Sequence, residues 1–259
     1  MRATTARGGT ADAIVLAGPP AGPPSGRAAF DPAWARVAGR PGCVWAVDTL
    51  DTSQHIRRVA LVVEARRLAA ARRLIAAAGW RAVHAVAPSE DGTDARGLVA
   101  WLGAGLAALD EARAEAPAGA PGAVVLHEGS RPLLPTALLD ALFAAWDGAS
   151  VLAAASPVKE TLKAVDTRRR VRQTPPRDHL WQLHPPLLLP CPLLERIIVA
   201  ATPPDARVQG QPDASLTALI ARAPGVRLRL VAAGHEDVVL RRSADARLAE
   251  GMLTDARSQ

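Results

Sequence analysis

The sequence predicts an α/β protein built around a doubly wound, mostly parallel sheet. Through the first 150 residues, short apolar runs alternate with stretches whose apolar residues recur at helical spacing. The runs are apolar at nearly every position, which indicates parallel strands that helices bury on both faces. The chain is large enough for such a sheet, because it has 259 residues and 49% of them are hydrophobic.

Each apolar run is a candidate strand, and each helical stretch is a candidate helix. Strands are predicted at residues 12–17, 59–63, 82–87, 123–127, 150–155 and 226–231. Helices are predicted at residues 65–78, 93–116, 135–146, 192–201, 213–221 and 243–253. In the second of these helices, one face carries Leu98, Trp101, Leu102, Leu106 and Leu109. That face is expected to pack on the sheet.

Two segments of the second half interrupt this alternation. Residues 164–174 (AVDTRRRVRQT) combine two short polar strands with a basic turn, which predicts a β-hairpin outside the core. Residues 185–192 are rich in proline, and this excludes a regular helix there. The expected fold class is therefore an α/β, doubly wound, mostly parallel sheet with a protruding β-hairpin arm.

Charge and composition exclude two classes of partner. The formal net charge is +6, and all of the 31 basic residues except Lys159 and Lys163 are arginines. They are spread along the chain and form no continuous stripe, so we expect no nucleic-acid partner. No apolar run reaches the roughly 20 residues that a bilayer span needs, so we expect no membrane association.

The two cysteines indicate a reducing compartment. Cys43 and Cys191 have no metal-ligating neighbour at short spacing, which is typical of reduced and buried thiols. The first residues also lack the basic-then-apolar layout of a signal peptide. We therefore expect a cytoplasmic protein.

The loop after the first predicted strand is a candidate phosphate site, because ligands bind at the carboxyl ends of strands in open α/β sheets. Residues 18–27 (GPPAGPPSGR) contain glycines that would let backbone N–H groups approach a phosphate, with Arg27 as the counter-charge. The four prolines of this loop remove four such donors. A phosphate loop and an ordinary connection both remain open.

The fourth predicted strand ends in a second candidate site. Glu128 follows an apolar run directly, and Arg131 comes three residues later. A carboxylate suits Mg²⁺, and an arginine suits a phosphate. The alternative is an ordinary ion pair at the end of a strand.

Five segments resemble, in order and spacing, motifs of the 2-C-methyl-D-erythritol 4-phosphate cytidylyltransferase family. Residues 127–133 (HEGSRPL) resemble H-D-A-A-R-P, and residues 157–163 (PVKETLK) resemble P-V-x-D-T-[IM]-K. Residues 177–181 (RDHLW) are similar to R-x-x-L-W, and residues 212–216 (PDASL) to T-D-[DE]-A-S. Residues 243–250 (SADARLAE) resemble the family's T-x-P-E-D-L-A-L-A-E. No single motif is specific for the family, but five motifs in the family's order and spacing are hard to obtain by chance.

The resemblance implies a single Rossmann-like nucleotidyltransferase domain over residues 1–259. Such enzymes transfer CMP from CTP to a sugar-alcohol phosphate and release pyrophosphate, in the non-mevalonate route to isoprenoid precursors. By this resemblance Ala17, Gly18 and Arg27 bind the nucleotide, and Arg27 also acts in catalysis. Glu128 and Asp237 bind Mg²⁺, at positions where the family has Asp and Asn.

The resemblance also implies substrate residues and a partner subunit. Arg131 is a catalytic and substrate-binding residue, and Thr161 and Arg177 bind the substrate. In the family, an arm reaches into the second subunit. An arm at about residues 157–180 therefore implies a homodimer in which Thr161 and Arg177 act across the interface.

Four positions depart from the family pattern. Ala33 follows Pro32 where the family has Pro-Lys, and Val239 replaces a second lysine. Residues 183–186 (LHPP) stand where the family has Q-T-P-Q. Trp101 takes the slot of the serine in R-x-x-S-V, a segment that helps to hold the nucleotide. Losing one preorganised charge typically costs about 10²–10³ in rate.

Two interpretations of different class follow. One is a divergent but active cytidylyltransferase in which Arg27, Arg40, Arg241 or Arg242 supplies the missing positive charge. The other is a catalytically impaired paralogue that keeps the fold and the arm and acts as a binding or regulatory protein. An arginine side chain in the cleft would favour the first, and a closed nucleotide site would favour the second.

Overall fold

A seven-stranded sheet forms the centre of the computed structural model, which describes residues 9–18, 30–89, 95–115, 122–201, 215–234 and 238–257. The strands are β1 (Ala11–Ala17), β2 (Arg36–Val37), β3 (Arg40–Pro41), β4 (Ile56–Val63), β5 (Val83–Val86), β6 (Ala123–Glu128), β7 (Val151–Pro157), β8 (Ala164–Val165), β9 (Val171–Gln173), β10 (Trp181–Pro190) and β11 (Leu228–Ala232). The helices are α1 (Gly42–Thr52), α2 (Leu68–Ala78), α3 (Ala95–Glu115), α4 (Thr136–Ala145), α5 (Cys191–Ala201), α6 (Leu216–Ala221) and α7 (Ser243–Arg257).

The sheet order is β11-β7-β10-β6-β1-β4-β5. β1 pairs in parallel with β4 and β6, β4 with β5, and β11 with β7, whereas β10 is antiparallel to both of its neighbours. All six predicted strands are present, so the α/β, mostly parallel fold class is confirmed. The order also places β1 in the interior of the sheet, between β4 and the central strand β6.

Helices cover both faces of the sheet, as the near-continuous apolar strands predict. On one face, Ala13 and Val15 of β1 belong to a cluster with buried residues of α1, α2 and α4. On the other face, Ile14 belongs to a cluster with buried residues of α3, α5 and α6. Alternate side chains of β1 thus point to opposite layers, which is the two-residue period of a strand.

Two of the longer elements, β10 and α1, are absent from the prediction, as are the two-residue strands β2 and β3. β10 replaces what was only a non-helical proline-rich stretch, and its pairing with β7 shifts register between His184 and Leu187, around the cis bond Pro185–Pro186. α1 is the second, although Cys43, Val47 and Leu50 follow helical spacing and are fully buried. The predicted helix at 65–78 begins as a 3-10 turn, Ala65–Arg67, before α2.

The predicted hairpin arm is present. β8 pairs antiparallel with β9, and the residues of both strands are exposed. Asp166 orders the turn, since its carboxylate accepts hydrogen bonds from the backbone N–H groups of Arg168 and Arg170, both at 2.9 Å. The N–H of Arg168 lies two residues on, which makes this an Asx-type turn.

Near the C-terminus, a third small cluster joins α7 to the β2–β3 hairpin. Val37 packs there with Val238, Leu240, Ala246 and Ala249. In the described part of the chain, no helix combines the length and the apolar character that crossing a membrane requires.

Candidate active site

The carboxyl ends of β1 and β6 meet at one edge of the sheet. Leu16 of β1 lies beside Glu128 of β6 in the parallel register. The backbone N–H of Gly129 donates to the carbonyl oxygen of Leu16 at 2.8 Å. A Cβ atom on Gly129 would lie only 2.9 Å from the Cβ of Cys43 and 3.0 Å from the Cβ of Ala17, so glycine is required for this close approach. Ala17 and Glu128, two predicted site residues, are therefore neighbours.

Glu128 and Arg131 form an ion pair at this edge. The Nε of Arg131 donates to Oε2 of Glu128 at 3.1 Å. The side chain of Arg131 is 10% exposed and that of Glu128 is 26% exposed, so the carboxylate faces outward and the arginine lies behind it. His127 Nε2 donates to the carbonyl oxygen of Arg131 at 3.0 Å and so orders the loop. The pair therefore holds a partly exposed carboxylate at the end of β6.

A segment near the C-terminus lies against this loop. The backbone N–H of Leu240 donates to the carbonyl oxygen of Ser130 at 2.8 Å. The carboxylate of Asp245 then accepts hydrogen bonds from the backbone N–H groups of Arg241 at 2.9 Å and of Arg242 at 3.0 Å. These bonds, led by that from Arg241, lower the pKa of Asp245. They hold both arginines at the same sheet edge. Asp237, the predicted second metal ligand, lies outside the described residues.

An open cleft of about 890 Å³ lies between the ends of β7 and β11 and α7, and we call it the β7–β11 cleft. Its lining includes Lys159, Glu160, Gln182, Val239, Arg241 and Arg242. A much smaller gap, lined by His127 and His184, shares Ala233 and Gly234 with this cleft. Three cationic side chains therefore border one solvent-open space.

The two arginines of the cleft differ in their partners. The Nε of Arg242 donates to Oδ1 of Asp245 at 3.3 Å. The guanidinium of Arg241 forms no ion pair within the described ranges. Arg241 stands two residues from Val239, the position where the family has lysine. Among the predicted replacements that the structure describes, Arg241 thus borders the cleft without a carboxylate partner in the described residues.

Of the remaining predicted replacements, Arg40 is not among the described residues that line the cleft. Arg40 pairs with Asp48 at 2.7 Å and lies over the ring of Trp45, 4.9 Å from its centroid. Ala33, at the family's first lysine position, is fully buried in the core. Arg27 lies outside the described residues.

Thr161 and Arg177 lie on the exposed arm, away from Glu128. The Nη1 of Arg177 donates to the carbonyl oxygen of Lys159 at 3.0 Å and so fixes the base of the arm. Lys159 and Glu160 line the β7–β11 cleft, whereas Thr161 and Arg177 are not among its described lining residues. Lys159 has no role in the prediction, although a signal was available: it is one of two lysines in a chain that otherwise uses arginine.

Gly18 directly follows β1 and lies against the ring of Trp101. A Cβ on Gly18 would lie 2.0 Å from Cη2 of that indole and 2.6 Å from its Cζ2. Trp101 is only 5% exposed and packs with Leu102 in the α3 layer. The space that glycine leaves open at this point is therefore occupied by an aromatic side chain of the same protein.

The chain matches the family model of the 2-C-methyl-D-erythritol 4-phosphate cytidylyltransferases over residues 19–255. The protein of that name from Frankia casuarinae is 33% identical over 142 residues, covering 52% of this chain and 50% of that protein. The one from an Azoarcus species is 32% identical over 133 residues, covering 51% and 52%. The chain thus spans about half the length of these curated relatives.

Solved structures show the same fold at low sequence identity. The 4-diphosphocytidyl-2C-methyl-D-erythritol synthase from Anaerococcus prevotii superposes with a TM-score of 0.71 at 18% identity, covering 96% of this chain and 100% of that one. The 2-C-methyl-D-erythritol 4-phosphate cytidylyltransferase from Thermus thermophilus gives a TM-score of 0.59 at 16% identity, covering 93% and 98%. With the family model matched over residues 19–255, the chain belongs to the 2-C-methyl-D-erythritol 4-phosphate cytidylyltransferase family.

Proposed function

We propose that this protein transfers CMP from CTP to 2-C-methyl-D-erythritol 4-phosphate, or to a related polyol phosphate. An oxygen of the acceptor phosphate attacks the α-phosphorus of CTP, the bond from that phosphorus to the bridging oxygen breaks, and pyrophosphate leaves. The observation that carries the proposal is the convergence of Glu128, Arg131 and Arg241 at one sheet edge beside an open cleft. Family membership supplies the reaction class.

The residues of this edge suit phosphoryl transfer, in which a protein contributes mainly positioning and positive charge. Ala17 and Gly18 bring backbone groups to the end of β1, with Arg27 in the following loop as the proposed nucleotide cation. Lys159 and Arg241 place positive charge along the β7–β11 cleft, where an acceptor phosphate would bind. Arg131 orients the carboxylate of Glu128 through its Nε.

Glu128 is the residue we propose to hold Mg²⁺. Its Oε2 accepts the hydrogen bond of Arg131, and its Oε1 accepts none from the described residues. Mg²⁺ commonly binds through one or two carboxylates together with substrate phosphates, so a single outward carboxylate fits the ion. In the described part of the chain, no three His, Cys, Asp or Glu side chains form a metal cage, and that mode of binding needs none. When bound, Mg²⁺ would neutralise phosphate charge, and Asp237 would supply a second carboxylate.

We also propose a cytoplasmic homodimer in which the arm of one subunit contributes substrate-binding residues to the cleft of the other subunit. The arm exposes apolar side chains that a monomer would leave in water, namely Leu162 at 45%, Val165 at 53%, Val171 at 59% and Trp181 at 41% exposure. Thr161 and Arg177 lie on this arm, outside the described lining of their own cleft. The buried thiols of Cys43 and Cys191, which are not joined in a disulfide, support the cytoplasmic location.

Mixing two inactive variants tests whether the arm acts across the subunit interface. Glu128→Ala and Arg177→Ala homodimers should each be inactive, and mixed heterodimers should regain activity, because one composite site then contains both native residues. Mixtures that stay inactive while light scattering shows exchanged dimers would contradict action across the interface.

Calorimetric titration with CTP and Mg²⁺ tests the function itself, with ATP and GTP alongside. Selective binding of CTP that weakens in Glu128→Ala, but not in the control Glu111→Ala on the exposed side of α3, supports the proposal. Release of pyrophosphate from CTP in the presence of 2-C-methyl-D-erythritol 4-phosphate would then demonstrate the transfer reaction. A folded protein that binds no nucleotide would contradict the proposal and favour the impaired paralogue.

A further inference from the structure

Trp34 is hydrogen-bonded to both ends of the segment that follows β1. Its indole Nε1 donates to the carbonyl oxygen of Ala17, the last residue of β1, at 3.2 Å. Its backbone N–H donates to the carbonyl oxygen of Asp31 at 3.1 Å. Ala17 is the residue at which the chain leaves the sheet, and Asp31 is the residue that precedes the 3-10 turn Pro32–Trp34. A single residue therefore joins the two ends of the intervening chain.

An ion pair with a largely buried carboxylate holds the same tryptophan. The guanidinium of Arg67 lies over the indole ring of Trp34, 5.0 Å from its centroid. The Nη2 and Nε of Arg67 also donate to Oδ2 of Asp31, at 3.0 Å and 3.2 Å. The side chain of Asp31 is 13% exposed, and the desolvation of such a pair offsets much of its attraction. Its main effect is therefore to fix the positions of the groups that it joins.

This cluster lies at the carboxyl edge of the sheet, where the candidate active site also lies. Ala17 ends β1, and the turn that carries Arg67 follows β4, the parallel neighbour of β1. Glu128 ends β6, the neighbour of β1 on its other side. The segment whose ends are bonded to Trp34 contains Arg27, the proposed nucleotide cation. Fixing the ends of a binding segment lowers the entropy cost of ordering it around a ligand.

We propose that Trp34 is a positioning residue for CTP, because it fixes both ends of the segment that binds the nucleotide. The inference rests on the proposed function, in which Ala17, Gly18 and Arg27 hold the nucleotide. Trp34 acts through the backbone and does not itself contact the substrate. Ala33 stands at the family's first lysine position and is buried, so this position supplies no cation. Rigid placement of the segment then compensates for part of that lost contact.

The chain contains a matched control for this tryptophan. Trp45 has the same two contacts, since its Nε1 donates to the carbonyl oxygen of Val37 at 3.0 Å and Arg40 lies over its ring, 4.9 Å from the centroid. Its acceptor belongs to the β2–β3 hairpin and not to the segment after β1. Replacing either tryptophan by phenylalanine keeps an aromatic ring under the arginine and removes the indole N–H. The two variants should therefore lose similar, small amounts of thermal stability.

Calorimetry and steady-state kinetics of the full-length variants test the inference. Trp34→Phe should raise both the Kd and the KM for CTP about three- to tenfold, which is the effect of losing one hydrogen bond. The KM for the acceptor, measured at saturating CTP, should stay unchanged. Trp45→Phe should leave all three values unchanged. If Trp34 only stabilises the fold, the two variants will instead bind CTP equally well.

NMR of the unsubstituted protein gives a second readout that does not depend on whether a variant folds. The indole ¹⁵N–¹H signal of Trp34 should shift on adding CTP, and that of Trp45 should stay in place. Equal CTP affinity of Trp34→Phe and the unsubstituted protein would overturn the inference, and so would a Trp34 signal that does not move. If the unsubstituted protein binds no CTP, the proposed function fails as well. The two failures are distinguishable, because failure of the inference alone leaves that binding intact.

Discussion

The backbone N–H of Leu240 donates a 2.8 Å hydrogen bond to the carbonyl oxygen of Ser130. This bond joins the segment before α7 to the loop that carries Glu128 and Arg131. It follows that Arg241, one residue after Leu240, borders the β7–β11 cleft at the edge where the carboxylate lies. Arg241 thus stands two residues after Val239, the position of the family's second lysine, whereas Ala33, at the position of the first lysine, is buried in the core.

Arg241→Ala should lower kcat/KM about 10- to 100-fold, which is the loss expected when one hydrogen bond to a charged group is removed. Stability should change little, because the side chain has no ion-pair partner among the described residues and the backbone N–H to Asp245 remains. Arg247→Ala, on the exposed face of α7, is the control. Steady-state kinetics and thermal unfolding measure both effects. Equal kinetics of the two variants would show that Arg241 does not contact substrate.

Val239→Lys should strengthen the binding of the acceptor phosphate by about tenfold, since it adds a charge-assisted contact. Val239 is half-buried in the cleft lining, so a lysine stem can pack there with its ammonium in water. Val239→Met adds length without charge and should bring no gain. Calorimetry with the polyol phosphate compares the two, and an equal gain in both would assign it to packing.

Gly18→Ala should destabilise the fold by about 1–3 kcal/mol, because its Cβ would lie 2.0 Å from the Trp101 ring and force that ring to move. In the Trp101→Phe background the penalty should shrink, since the smaller ring leaves room. Urea denaturation of the four proteins in this cycle measures the coupling. Strictly additive changes would mean that the two residues do not contact.

Gly103→Ala is the control for the glycine substitution. Gly103 lies within α3, and its nearest neighbour would be 3.9 Å from the new Cβ. Here alanine should stabilise the protein by about 0.5–1 kcal/mol, because it replaces glycine inside a helix without a clash.

Asp245→Ala should cost about 1 kcal/mol at pH 7, because the carboxylate accepts backbone N–H groups at the start of α7. Those bonds hold the pKa of Asp245 below its ordinary value of 3.8 in the folded state. The contribution is therefore complete above that value and is lost as the pH falls through the folded pKa. The difference between native and variant should shrink in urea denaturation at pH 3. Asp255→Ala, exposed on the same helix, should show no such change.

Local patterns predicted most of the fold. Six of the seven strands of the main sheet were predicted from apolar runs, and burial at nearly every position explains the apolar composition of β1, β4, β6 and β7. β10 escaped prediction because its first two residues, Trp181 and Gln182, are exposed, because it contains Pro185 and Pro186, and because it pairs antiparallel with strands distant in sequence. The proximity of Glu128 and Arg131 was also predictable, since both stand at the end of one strand.

The sequence by itself determined the features that depend on residues close together in the chain. These are most of the strands and helices, the hairpin arm and the pair Glu128 and Arg131. Only the tertiary structure placed Lys159 and Arg241 along one cleft and the indole of Trp101 against Gly18. Those contacts join residues far apart in the chain, and they depend on strand order and on where each helix packs. No local periodicity encodes that information, because the folded sheet alone brings the separate carboxyl ends of its strands together.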